Sequence, residues 1–168
     1  ARGDYDSALD YLTQSLAIRR EIGDRAGEGT TLNNISQIYY ARGDYDSALD
    51  YLTQSLAIRR EIGDRAGEGT TLNNISQIYY ARGDYDSALD YLTQSLAILR
   101  EIGDRAGTCA TLFNMGHIHW QNQEKSKAMS AWATSYGIAS EIGYAQVLQA
   151  LESMAKQLGG DGLAFWEN

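Results

Sequence analysis

The chain has no proline and only one cysteine, Cys109, among its 168 residues. A lone cysteine rules out an internal disulfide framework and fits a reducing, cytoplasmic setting. Cations are scarce as well: 14 Lys and Arg stand against 22 Asp and Glu, for a net charge of −8. Phosphate backbones need clustered cations, and none of the first three forty-residue segments has an excess of them, which argues against a nucleic-acid partner. No apolar run approaches the roughly 18 residues of a membrane-crossing helix, and no leader peptide is visible. The chain starts on an alanine in mid-repeat, as a piece of something longer would. Two-residue alternation, a Gly-rich phosphate loop, a nucleophile elbow and a carboxylate pair distinct from the repeated positions are all missing. Neither strands, catalysis nor a cofactor is expected.

What the sequence does have is repetition. Forty residues at 1–40 recur unchanged at 41–80, a third copy at 81–120 keeps thirty of them, and a fourth at 121–160 keeps little beyond the pattern. A period of this length marks a stacked array in which each unit buries its apolar face against its neighbours. The array is read as residues 1–160, followed by a tail at 161–168.

Gly-Asp steps punctuate every unit, at Gly3-Asp4, Gly23-Asp24, Gly43-Asp44 and Gly63-Asp64. Glycine ends a helix in the left-handed conformation and aspartate caps the next, so each step reads as a stop followed at once by a start. Two segments, A and B, each about 17 residues and 25 Å long as helices, lie between steps. The B segment at 45–62 places Tyr45, Ala48, Leu49, Leu52, Leu56 and Ile62 on one stripe. The A segment at 65–81 does the same with Leu72, Ile75, Ile78 and Tyr79. Eight helices are expected: B from Tyr5, then A and B alternating, closing with an A helix near 144–158. That last helix has Val147, Leu148, Leu151, Met154, Ala155 and Leu158 on one side, as a terminal cap should.

The stretch NNISQIYYARGDYDSALDYLTQSLAI resembles the tetratricopeptide repeat. The family's small–Tyr–Gly–Tyr–Ala–small pattern falls on Ser36, Tyr39, Gly43, Tyr45, Ala48 and Ser55, and recurs forty residues later. The unit is longer than the usual 34 residues and lacks the proline that closes helix B. It continues through RREIGD, as repeats of kinesin light chains, spindle-orienting scaffolds and bacterial signalling proteins do. The resemblance implies an all-α solenoid of antiparallel helix pairs forming a right-handed superhelix. It also implies that helix A lines a concave groove for a peptide or protein segment.

The expected groove row is Asn33, Asn34, Gln37 and Tyr40, repeated at Asn73, Asn74, Gln77 and Tyr80, and varied to Phe113, Asn114, His117 and Trp120. Adjacent asparagines are poor helix formers, yet their amides can bond both the N–H and the C=O of an extended peptide. The resemblance carries that role onto Asn34, Asn74 and Asn114; the competing possibility is that the asparagines bond neighbouring helices and set unit spacing. Where family members that clamp a C-terminal carboxylate carry cations, this chain has Asn33, Ala110 and Asn114. A buried carboxylate would lie unpaired there, so the expected ligand is neutral or polar with an apolar anchor near Phe113 and Trp120.

The repeated Arg-Gly-Asp triplets are explained as helix punctuation and not as an adhesion motif. His117 and His119 point about 200° apart on one helix, and Cys109 is not at i, i+4 from either, so a metal site is not expected. The function read from the sequence is a non-catalytic protein-interaction scaffold. The apolar tail residues Leu163, Phe165 and Trp166 are expected to fold back on the closing helix, or else to enter a neighbouring molecule's groove or continue into a further helix. Two alternatives for function are a self-assembling module, through Tyr5, Leu9, Leu12 and Leu16 on an unpaired B helix together with Phe165 and Trp166 of the tail, or the sensor part of a larger signalling enzyme.

Overall fold

A computed structural model describes residues 2–167, with side chains from Asp4 to Glu167; Ala1, where the array is read to begin, and Asn168, which closes the tail, lie outside the described residues. Eight α-helices and one short 3-10 helix follow one another, with no strand among the described residues. They are α1 (Arg2–Ile22), α2 (Arg25–Ala41), α3 (Tyr45–Glu61), α4 (Arg65–Ala81), α5 (Tyr85–Glu101), α6 (Arg105–Gln121), α7 (Lys125–Ile142) and α8 (Ala145–Gln157), closed by the 3-10 turn Leu163–Glu167. The even-numbered helices are the A segments. Each of α2, α4 and α6 packs most extensively on the B helix that follows it and less on the one before it. Short connections force the members of each pair antiparallel.

The Gly-Asp steps do what their chemistry dictates. Gly43 and Gly63 take φ of 76° and 70°, values at which a Cβ is strained. The aspartate behind each glycine accepts from a backbone N–H three residues on, as Asp64 does from Gly67 at 2.9 Å and Asp44 from Ser47 at 3.1 Å. In the fourth unit the signal is lost but the turn survives: Gln123 holds φ 63°. Glu124 makes no cap bond to the backbone and pairs with His119 at 2.7 Å and with Lys127.

The first Gly-Asp step behaves otherwise. A break was expected at Gly3-Asp4, with a helix from Tyr5, yet α1 runs unbroken from Arg2. At Gly43 the chain reverses between two packed helices, α2 and α3, whereas Gly3 lies within the first turn of α1.

The core is a row of clusters, one for each junction. Leu52, Leu72, Ile75 and Ile78 are buried with Ala48 and Leu56, and Leu16 and Ile58 are buried with Leu32 and Ile35. Ile62, expected on the buried stripe, is the C-terminal cap of α3 and is exposed. Helix B buries a second face that the stripe did not predict. Ser55, Ile58 and Arg59 are buried against α2, where Ser55 donates to the carbonyl of Gly29 at 2.9 Å and Arg59 to Thr30 Oγ1 at 2.7 Å. The serine bond recurs at Ser95 to Gly69 (3.0 Å) and Ser135 to Cys109 (3.0 Å). It fixes the closest approach of each pair.

Two of the residues expected to mediate self-association are folded inward. Leu16 is buried against Leu32 and Ile35, with Leu9 and Leu12 half-buried beside it, because α2 covers that face of α1. Trp166 is also buried, donating to the carbonyl of Leu151 at 2.9 Å, and Phe165 packs edge-on to it. Leaving both rings in water would be unfavourable, and the hinge at 159–162 is long enough to return them to α8. Tyr5 remains at the surface under the guanidinium of Arg42.

Candidate binding groove

Three clefts follow one another along the molecule, each between two successive A helices with one residue of the intervening B helix at its floor. The first, about 60 Å³, takes Gln37 and Tyr40 from α2, Asn74 and Gln77 from α4, and Leu52 as floor. The second, about 330 Å³, takes Asn73, Gln77 and Tyr80 from α4, Asn114 and His117 from α6, and Leu92 as floor. The third, about 580 Å³, takes Phe113, His117 and Trp120 from α6, Ala150, Met154 and Gln157 from α8, and Trp132 as floor. Thus an asparagine from the later helix, Asn74 or Asn114, faces a Gln–Tyr pair on the earlier helix in the first two clefts. In the third, Met154 occupies the asparagine position and aromatic rings replace the pair.

Most of the expected row is where the pattern put it. Asn34, Gln37, Tyr40, Gln77, Tyr80, Asn114 and His117 are exposed, while Asn74, Phe113 and Trp120 are half-buried. Asn34 lines none of the three clefts. Asn33 is a correction. It is buried, and its amide bonds Thr71 on the next A helix at 3.2 Å, so it holds unit spacing and does not face a ligand. The equivalent pair further on does not close: Asn73 Oδ1 and Thr111 Oγ1 are buried without a hydrogen-bond partner, and Asn73 turns toward the second cleft instead.

The tyrosines of the first two clefts are braced by the ring that opens the following B helix, Tyr40 on Tyr45 at 5.5 Å and Tyr80 on Tyr85 at 5.6 Å between centroids. At the far end Trp132 is buried and its indole donates to the carbonyl of Phe113 at 3.2 Å. Phe113, His117, Trp132 and Trp120 form a chain of rings 4.6 to 5.7 Å apart. Partial desolvation by the neighbouring rings pushes the pKa of His117 below its ordinary 6.5, although one edge of the ring stays open to solvent. The imidazole is therefore neutral at neutral pH, with one donor and one acceptor.

Sequence reasoning missed Trp132. Its signal is a paired exchange: Trp132 stands where the other units have Leu52 and Leu92, and Gly116 stands where they have Ser36 and Ser76. A Cβ on Gly116 would lie 2.2 Å from the indole nitrogen, so the large ring requires the small residue. Among the described residues there is no cluster of His, Cys, Asp and Glu able to hold a metal ion, and no helix long and apolar enough to cross a membrane.

A tetratricopeptide-repeat family model matches residues 1–61, 44–101 and 67–141. The chain belongs to the tetratricopeptide repeat family. No curated protein matches it. Among solved structures it is similar to BtubC (BKLC) of P. vanneervenii, with 22% identity over 84% of this chain and 59% of that one and a TM-score of 0.77. It is also similar to a Podosopora anserina protein named as a kinesin light chain with nearly identical TPR-like repeats, at 18% identity, 83% and 69% coverage and a TM-score of 0.68. A third is a Rap protein complexed with competence and sporulation factor, at 18% identity, 92% and 43% coverage and a TM-score of 0.74. At such identities the likeness is one of fold, and the chain spans less than two thirds of the first and third of these proteins.

Proposed function

We propose that this repeat array is a non-catalytic scaffold that holds a segment of another protein along its row of clefts. The reading rests on one observation: the same polar constellation is presented twice in register and gives way, at the third cleft, to a wall of rings. A ligand matching that row has an uncharged polar stretch for the amides and an apolar side chain for the pocket of Phe113, Trp120, Trp132 and Met154. No Lys or Arg lines any of the three clefts, so a terminal carboxylate has no partner there. The Rap complex with its factor is consistent with a tetratricopeptide groove serving such a role, and the scaffold reading extends it to this chain. The test is selection of short peptides from a random library on the immobilised protein, followed by titration. Selected sequences should be neutral with one large apolar residue, and they should weaken on Asn74→Ala and Asn114→Ala while helicity stays unchanged. Selection of acidic C-terminal peptides, or indifference to both asparagines, overturns the reading.

A further inference from the structure

On the side of the array away from the groove, two successive units carry a stacked pair of tyrosines. Tyr91 of α5 lies on Tyr79 of α4 at 5.3 Å with 12° between the planes, and Tyr51 lies on Tyr39 in the same way. Burial and the neighbouring Tyr79 raise the Tyr91 pKa, and the charge of Arg60 opposes the rise. The stacked ring therefore holds its hydroxyl within the field of that guanidinium, which Glu68 balances at 2.9 Å.

In the last unit His119 stands for Tyr79 and Ala131 for Tyr91. An open cleft of about 430 Å³ lies there, lined by Arg100 of α5, Leu112 and His119 of α6, and Lys127, Ser130 and Ala131 of α7. Charge reverses at the same place. Asp86 and Asp90 become Ser126 and Ser130, Ser87 becomes Lys127, and Glu68 becomes Thr108. That glutamate holds both Arg60 and Arg65; here Arg105 still pairs with Glu141, but Arg100 has no carboxylate among the described residues. The carboxylate that remains, Glu124, is engaged by His119 Nδ1 at 2.7 Å and by Lys127. It orients the imidazole and leaves two of the three ammonium hydrogens of Lys127 available.

We infer that this cleft takes an aryl phosphate, the side chain of a phosphotyrosine in a partner protein. Its ring lies on His119, in the place that Tyr91 fills one unit earlier, and its phosphate lies between Arg100 and Lys127. Such an ester carries about −1.5 to −2 charges and three acceptor oxygens, enough for the guanidinium fork, the ammonium and the hydroxyls of Ser126 and Ser130. Plain tyrosine would bring no anion to the two cations, and phosphoserine would bring no ring to the imidazole. His119 points away from His117 on α6, so the site is independent of the groove.

The experiment titrates phenyl phosphate and a labelled phosphotyrosine peptide into the whole chain, beside inorganic phosphate and the phosphoserine form of the same peptide. Calorimetry and anisotropy should show saturable one-to-one binding of the first two, at least about tenfold stronger than of the second two. Arg100→Gln should weaken that binding by at least about tenfold, and Ala131→Tyr, which restores the ring of the earlier units, should abolish it. Arg100 is exposed, so its variant keeps the fold, checked by circular dichroism. Equal binding of the phosphoserine peptide, no saturation by about 1 mM phosphotyrosine peptide, or binding that survives either substitution overturns the inference. So does binding of phenyl phosphate without the phosphotyrosine peptide, since the ligand would then be a small molecule.

Discussion

The two ends of the groove use the same scaffold for opposite chemistry. In the first two units the cleft walls are amides and tyrosines over a leucine floor; in the last they are Phe113, Trp120 and Met154 over Trp132. The left-handed turn residue and the serine-to-carbonyl bond persist at both ends, while α8, which walls the last cleft, has 13 residues against 17 in α2, α4 and α6. Repetition therefore preserves what sets spacing, and divergence acts on the cleft lining and on the small residues that admit it. Arg59 gives way to Leu99 and then Ala139, all buried, so even the interface behind the groove becomes apolar toward the C-terminal end.

The comparison can be broken at the floor of the clefts. Trp132→Ala should lose about 3–5 kcal/mol and Leu92→Ala about 2–5 by chemical denaturation; a loss below about 0.5 kcal/mol at Trp132 would mean that the ring is ornament and not floor. Gly116→Ser alone should lose about 1–3 kcal/mol by overpacking the indole. Combined with Trp132→Leu, which recreates the pairing of the earlier units, it should cost much less than the sum of the two single changes. Simple additivity would show that the two exchanges are unrelated.

Smaller effects sharpen the same contrast in binding. Met154→Asn would extend the amide ladder into the third cleft, and a selected peptide should lose its preference for a large apolar residue while stability changes little. Unchanged preference would place the anchor elsewhere. The last effect is pH-dependent. The folded-state pKa of His117 lies below 6.5 because the aromatic walls partly desolvate its ring, so the unfolded chain takes up the proton first as pH falls. Stability should decline from about pH 6.5 downward and level off below the folded-state pKa, and binding of an apolar anchor should weaken over the same range. His117→Gln, the residue of the earlier units, should flatten both profiles; persistence of the slope would assign it to another group.

Much of this was legible in the residues. The Gly-Asp steps located every turn from Gly23 to Gly103 because cap and left-handed glycine are local chemistry, satisfied within three or four residues. The row of Asn, Gln and Tyr was legible because helical spacing alone puts it opposite the apolar stripe. Asn33 was not: an asparagine facing Thr71 across a junction looks the same in sequence as one facing solvent, and only the approach of the next A helix separates them. Arg59 was hidden for the same reason, being a polar residue buried by a partner and not by its own hydrophobicity. The break expected at Gly3 is absent, since that glycine lies inside α1, so a Gly-Asp pair does not by itself end a helix.

Repeat period, helix count and cap positions thus follow from the sequence alone, since each is decided within a turn or two of backbone. The division between groove and spacer at Asn33 and the inward folding of Leu16 were decided only in three dimensions. Eighteen identical residues are buried on both sides in α3 and on one side in α1, because burial belongs to the neighbour as much as to the residue.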